Sequence, residues 1–220
     1  MVSVLILAAT ELESARIRSS PFEVVVGGLA AVNTAHALSR RFAAWPRPTL
    51  VVQVGIAGAY VPGGLGVGAV ALATSETYAD VGVATPQGWR PVEEIGIPLI
   101  EAAEGRPARF NHFPLDADLV TRAAASCGAL AAATGPFLTV STVTGVRARG
   151  DELYERFGGA LCESMEGAAA AHICALHGVP FLEVRGVSNL VEDRNRAAWK
   201  IAEAADAAQT AALRIAGDLA

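Results

Sequence analysis

Short runs of apolar residues, such as VLILA near the start and LVVQV at 50–54 with its one glutamine, alternate along this chain with longer stretches of helical periodicity. A strand that is apolar at nearly every position must be buried on both faces, which happens in a sheet covered by helices on both sides. The pattern therefore reads as α/β. Strands are expected over 2–8, 23–26, 50–54, 69–74, 138–142 and 180–187, and helices over 30–42, 117–126, 149–157, 167–177 and 197–219. The stretch 75–114 carries prolines, glycines and few regular signals. It reads as a long irregular excursion, a feature usually tied to function. With no repeat, linker or low-complexity tract, residues 1–220 read as one domain.

Composition removes several classes. At 52% hydrophobic residues the chain can offset its conformational entropy, so disorder is not expected. A formal charge of −5 argues against a nucleic-acid or anionic-membrane surface. Cys127, Cys162 and Cys174 are odd in number and lack C-x-x-C spacing, so they read as reduced thiols. His36, His112, His172 and His177 show no H-E-x-x-H spacing, and neither a metal site nor a cofactor is expected. The opening apolar run lacks a basic leader and is too short to cross a membrane. It reads as a buried strand, and the expected location is the cytoplasm.

Glycines follow the strands in VVVGGLAAVN and VVQVGIAGAYVPGGLGVG. Neither forms a G-x-G-x-x-G fingerprint, and no Walker pattern occurs, so dinucleotide and P-loop readings fall away. Gly27–Gly28 read equally well as a tight turn, whereas Gly55, Ala57 and Gly58 suit close approach of a ligand to backbone. Among the acids, Glu11 reads as a helix-end charge. Glu13 lies just past the first strand, Glu166 opens an alanine-rich helix, and Ser188 and Asn189 end the last strand. Acids and amides converging on one sheet edge read as a small-molecule site.

The run ESMEGAAAAHICALHGVPFLEVRGVSN resembles the C-terminal signature of the purine nucleoside phosphorylase/nucleosidase superfamily, and VGIAGA and VSTVTG fit its order. Within it, SETYADVG, the Ser–Asn ending and VEDRNRAAW are most similar to the futalosine hydrolases, with methylthioadenosine/S-adenosylhomocysteine nucleosidases related. The resemblance implies a three-layer α/β/α fold around a mixed, twisted sheet and cleavage of a nucleoside N-glycosidic bond. It implies Glu13 as base on the attacking water and Glu166 as acceptor from the ribose 2′-hydroxyl, with Met165 packed on the sugar. Ala57, Gly58 and Ser188 would line the site, and Val143 and Thr144 would flank the base. Trp199 would close over it, unless it is a core residue of the last helix.

Asn189 departs from the aspartate of the adenine-specific relatives. An amide offers one donor and one acceptor, which suits a 6-oxopurine, but it cannot protonate N7. Water or Asp193 would supply that proton. Gln53 and Ile56 stand where phosphorylases place an arginine and a hydroxyl, so water is the expected nucleophile. Arg90, Arg147 and Arg194 are open candidates for a carboxylate on the 5′-substituent. The expected partners are a nucleoside substrate and further copies of the chain, a dimer or larger, with Trp89 or Phe113 near a neighbour's site. The rivals are an adenosine-type nucleosidase, a phosphorylase and a nucleoside-binding module without turnover.

Overall fold

The computed structural model describes residues 3–44 and 46–220. The first strand, β1 (Val4–Ala8), is buried at every position. It pairs in parallel with β2 (Glu23–Val26) on one side and with β3 (Leu50–Tyr60) on the other. Alternation splits its side chains between two cores. Val4, Ile6 and Ala8 join Leu50, Val52 and Val54 beneath α2 (Ala117–Cys127) and α5 (Ile201–Leu219). Leu5 and Leu7 join Val51 beneath α1 (Ala30–Ala43) and α4 (Gly167–His177). Helices on both faces give the three-layer α/β/α arrangement.

The remaining strands of the sheet are β4 (Val70–Tyr78), β8 (Ala133–Thr139), β9 (Cys162–Ser164) and β10 (Phe181–Val191). Their order, β10-β4-β8-β9-β3, closes on itself because β10 also pairs with β3, in parallel from Phe181↔Val51 onward. Parallel and antiparallel pairings coexist, so the sheet is mixed. A last helix, α3 (Arg147–Arg156), follows β8.

Several expected boundaries move, each for a local reason. Of the strand expected over 2–8, Val2 lies outside the described residues and Ser3 is not in a strand. β3 continues past 54 to Tyr60, since its glycines and alanines keep pairing with β10. β4 likewise runs through the start of the excursion. Further on, the excursion holds a hairpin of β5 (Gly82–Thr85) and β6 (Gly88–Pro91) and then β7 (His112–Pro114) antiparallel to β4, while 96–111 is irregular as expected, with only isolated bridges. β8 lies earlier than 138–142, and its Pro136 sits where the register with β4 shifts, a place where a missing N–H is tolerated. α3 starts earlier than the expected 149. α5 begins at Ile201 rather than 197, because Trp199 is extended and the Lys200 N–H donates to Ser188 O at 2.8 Å. Phe113 is buried against Tyr78 and His172, so it does not face a neighbour. Among the described residues no helix is long and apolar enough to cross a membrane.

Glycine sets how closely α5 approaches the sheet. A Cβ on Gly186 would overlap the backbone carbonyl of Ala204, whereas a Cβ on Gly217 would meet open space. Gly186→Ala is therefore expected to lower the stability measured by urea unfolding by at least about 1–3 kcal/mol. Gly217→Ala, inside the same helix, should be neutral or stabilising by up to about 1 kcal/mol.

Candidate active site

Strand β3 loses its neighbour β1 at Val54 and gains β9 only at Gly58. The gap leaves backbone groups of Gly55–Ala57 without a partner on that side, and the Glu13 carboxylate fills it. Glu13 is 5% exposed, and its Oε1 accepts from Ile56 N at 2.9 Å. Its Oε2 accepts from Thr10 Oγ1 at 2.7 Å. Glu11, by contrast, lies at the surface against Arg18.

Glu166 sits at the start of α4 and is 3% exposed. Its Oε1 accepts from Ala30 N at 3.0 Å, and its Oε2 from Arg185 Nη2 at 3.3 Å. Ala30 opens α1 with a φ of 73°, a left-handed conformation costly for a residue with a Cβ. Here that backbone aims an N–H at a carboxylate.

Arg185 projects from β10 and is 1% exposed. Its Nε donates to Glu183 Oε1 at 2.7 Å, its Nη1 to Ile56 O at 3.1 Å, and its Nη2 to Glu166. Burial alone would lower its pKa. Glu183, Glu166 and Glu13 more than offset this and hold the guanidinium charged. Gly55 makes room for the group: a Cβ there would overlap Arg185 Nη1 and lie 2.7 Å from Glu13 Oε1. One cation thus lies between the two acids that the sequence had marked.

At the other side of the site, β10 slips in register against β3, pairing Val187 with Ala57 but Asn189 with Gly58. Consecutive strand residues normally point to opposite faces. The extra residue in this bulge lets Ser188 and Asn189 both border one cavity. Ser188 Oγ lies 2.7 Å from Asn189 Oδ1, and Asn189 Nδ2 donates to Leu190 O at 3.0 Å. The amide keeps one N–H and one Oδ1 lone pair uncommitted.

These groups surround a cavity of about 350 Å³. Glu13, Ala57, Gly58, Val143, Thr144, Met165, Glu166, Ser188, Asn189 and Trp199 all line it, so the structure brings every expected site residue together. Trp199 is half-buried, with the Arg194 guanidinium 4.7 Å from its ring centre. It borders the cavity ahead of α5 rather than sitting in the helix core. Of the three arginines considered for a substrate carboxylate, Arg194 lines the cavity. Arg147 pairs with Asp151, and Arg90 borders a separate cavity. Asp193 does not line it, and accepts from Arg147 N.

Sequence reasoning assigned no role to Glu163 or Arg185, although both stand inside the quoted signature. Glu163 lines the cavity and accepts from Thr144 N and Thr144 Oγ1, each at 2.7 Å, and from Tyr60 Oη at 2.9 Å. Burial raises its pKa against the pull of these donors. The contacts hold the 143–144 segment over the cavity.

Comparison with known proteins places this arrangement. Residues 10–219 match the phosphorylase superfamily. A futalosine hydrolase from Streptomyces coelicolor is 44% identical over 155 residues, covering 70% of this chain and 60% of that protein. The chain thus matches less than two thirds of that relative's length. A futalosine hydrolase from Thermus thermophilus is 34% identical over 224 residues, covering 96% of this chain and 94% of that protein. Among solved structures, a 5′-methylthioadenosine/S-adenosylhomocysteine nucleosidase from Neisseria meningitidis in complex with methylthio-immucillin-A superposes with a TM-score of 0.80. It covers 98% of this chain and 99% of that one at 21% identity, a likeness of fold. By the match of residues 10–219 the chain belongs to the phosphorylase superfamily, and its fold agrees.

Proposed function

We propose that this protein hydrolyses the N-glycosidic bond of futalosine, releasing hypoxanthine and dehypoxanthine futalosine. The observation that carries the reading is the pair of buried carboxylates, Glu13 and Glu166, set on either side of Arg185 and bordering one apolar cavity. Departure of a purine leaves an oxocarbenium-like ribose. One carboxylate takes the proton of the attacking water, which is Glu13. The other accepts from the 2′-hydroxyl and places negative charge by the growing cation, which is Glu166. Binding without turnover has no need of the first.

Asn189 supports a 6-oxopurine leaving group. Its free N–H donates to O6, and its free lone pair accepts from N7 once water, rather than the distant Asp193, has delivered the proton there. Water is the better nucleophile than phosphate. Every arm of Arg185 is committed to Glu183, Ile56 O or Glu166, which leaves Arg194 as the arginine of the cavity free to meet an anion. A dianion needs more than one such partner. The 5′-carboxylate of futalosine needs only one, and Arg194 against Trp199 supplies it beside an aromatic wall. The similarity to two named futalosine hydrolases favours this substrate over the adenosine-type nucleosides.

The protein acts as a homo-oligomer, a dimer or larger, in the cytoplasm. Leu12, Leu29 and Val143 line the cavity yet are 46% to 55% exposed, an apolar rim suited to cover by a second copy. Light scattering at micromolar protein should return a mass above that of one chain. A fully active monomer would remove this part of the reading.

Release of hypoxanthine from futalosine should be fast and independent of added phosphate, with inosine, adenosine and methylthioadenosine cleaved poorly. Glu13→Gln should lower kcat by about 10²–10⁴ while the variant still folds and unfolds cooperatively on heating. Glu166→Gln should lower kcat more than it raises KM, because the charge serves chiefly the cationic transition state. An effect on KM alone would remove that role. Asn189→Asp should move the ratio of kcat/KM for matched 6-oxopurine and adenine nucleosides toward adenine by about one to two decades. A ratio unchanged within about threefold would mean that Asn189 does not read position 6.

A further inference from the structure

Behind Arg185, away from the cavity, two more carboxyl groups meet inside the protein. Glu76 on β4 and Glu183 on β10 are both fully buried. A Cβ added to Gly167 would overlap Glu76 Oε1 and Glu183 Oε2 at once, so the two oxygens converge beneath the first residue of α4. Neither oxygen has any other hydrogen-bond partner. An ionised carboxylate only accepts, so two such oxygens in contact and out of water repel each other unless a proton lies between them.

The outer oxygens show where that proton resides. Glu183 Oε1 accepts from the charged Arg185 Nε at 2.7 Å, which favours the anion. Glu76 Oε2 accepts from the neutral Thr139 Oγ1 at 2.8 Å, and Thr139 Oγ1 in turn accepts from Ala168 N at 2.7 Å. We propose that Glu76 and Glu183 share one proton, carried by Glu76, and that this pair is a positioning device that fixes Arg185 between Glu13 and Glu166. The charged and titratable groups facing Glu76 are Glu183 and Arg185 from β10, Cys162 from β9, and Tyr78 on its own strand. Burial first, and Glu183 second, raise the Glu76 carboxyl well above the ordinary glutamate range. The kinetic half of the proposal rests on the roles given above to Glu13 and Glu166. The proton itself does not.

A carboxyl raised in the fold keeps its proton where the unfolded chain has lost it. Wild-type stability therefore falls as pH rises above the ordinary glutamate value, until the folded carboxyl itself ionises. Glu76→Gln keeps a neutral donor toward Glu183 and an acceptor for Thr139, and abolishes that loss. Its melting temperature relative to wild type should rise steadily between about pH 5 and about pH 8. Infrared spectra at neutral pH should show the C=O stretch of a buried protonated carboxyl in wild type, and that band should be missing in Glu76→Gln. Glu183→Gln removes the anion behind Arg185 and should lower kcat by about tenfold or more, with KM moved less than about threefold. Glu76→Gln should cost kcat less than about threefold.

A wild-type spectrum without the band, a band that survives Glu76→Gln, or a larger kcat loss in Glu76→Gln than in Glu183→Gln would overturn the proposal. If Glu183→Gln does not fold, the infrared and melting comparison of Glu76→Gln still decides where the proton lies. A chain that released no base from any nucleoside would remove the proposed function while leaving the band and the pH trend in place.

Discussion

A guanidinium sealed from water sets the terms for everything around it. Arg185 is uncompensated unless acids approach it closely, since removing one partner of a buried ion pair costs about 3–5 kcal/mol. The fold answers with Glu183 from the same strand, Glu166 from the start of α4, and Glu13 from the turn after β1. Each acid belongs to a different part of the chain, so the cation fixes how those parts sit together. The glycines follow from the same demand. Gly55 leaves room for the guanidinium, and Gly167 leaves room for the carboxyl pair behind it. Neither position has a positive φ, so space rather than backbone freedom selects glycine there.

The sheet converts this cluster into a site by irregularity at two points. Where β1 stops short of β3, the backbone that would have continued the ladder turns to Glu13. Where β10 bulges, successive residues face the same way, and an amide joins a hydroxyl at the cavity wall. A perfectly regular sheet would have buried Asn189 or turned it away. The polar groups of the cavity therefore lie where pairing is interrupted, between apolar layers packed above and below the sheet.

The fold class was legible because uninterrupted apolar strands leave few alternatives, and β2 and α4 match their expected limits to the residue. The three-residue strand β9 was not, since Cys162–Ser164 is too short to show alternation and owes its extension to β3 and β8. The start of α5 was misread because the alanines at 197–198 do coil, in a single 3₁₀ turn, but extended Trp199 and the Lys200 N–H bonded to Ser188 O separate that turn from the helix. The cavity residues were found through a motif, and the structure assembles them. What lay beyond reach was the support behind them. In LEVRG, glutamate and arginine alternate as they would on a solvent-facing strand, and the start of α4 over Glu183, with Gly55 and Ile56 of β3 against Arg185, puts both out of water. That covering comes from tertiary packing and leaves no local trace.

The pairing of β3 with β10 also carries a kinetic meaning. Val51 meets Phe181 across most of the chain, and the ring of strands cannot close until that pairing forms. Loop-closure entropy makes such contacts late and slow. Until the ring closes, Arg185 on β10 lacks the Ile56 carbonyl beside it, although Glu13 can already cap Ile56 N because β1 pairs with β3 directly. An N-terminal piece bearing Glu13 and a complementary piece bearing Glu166 and Asn189 would each hold only part of the lining of the cavity.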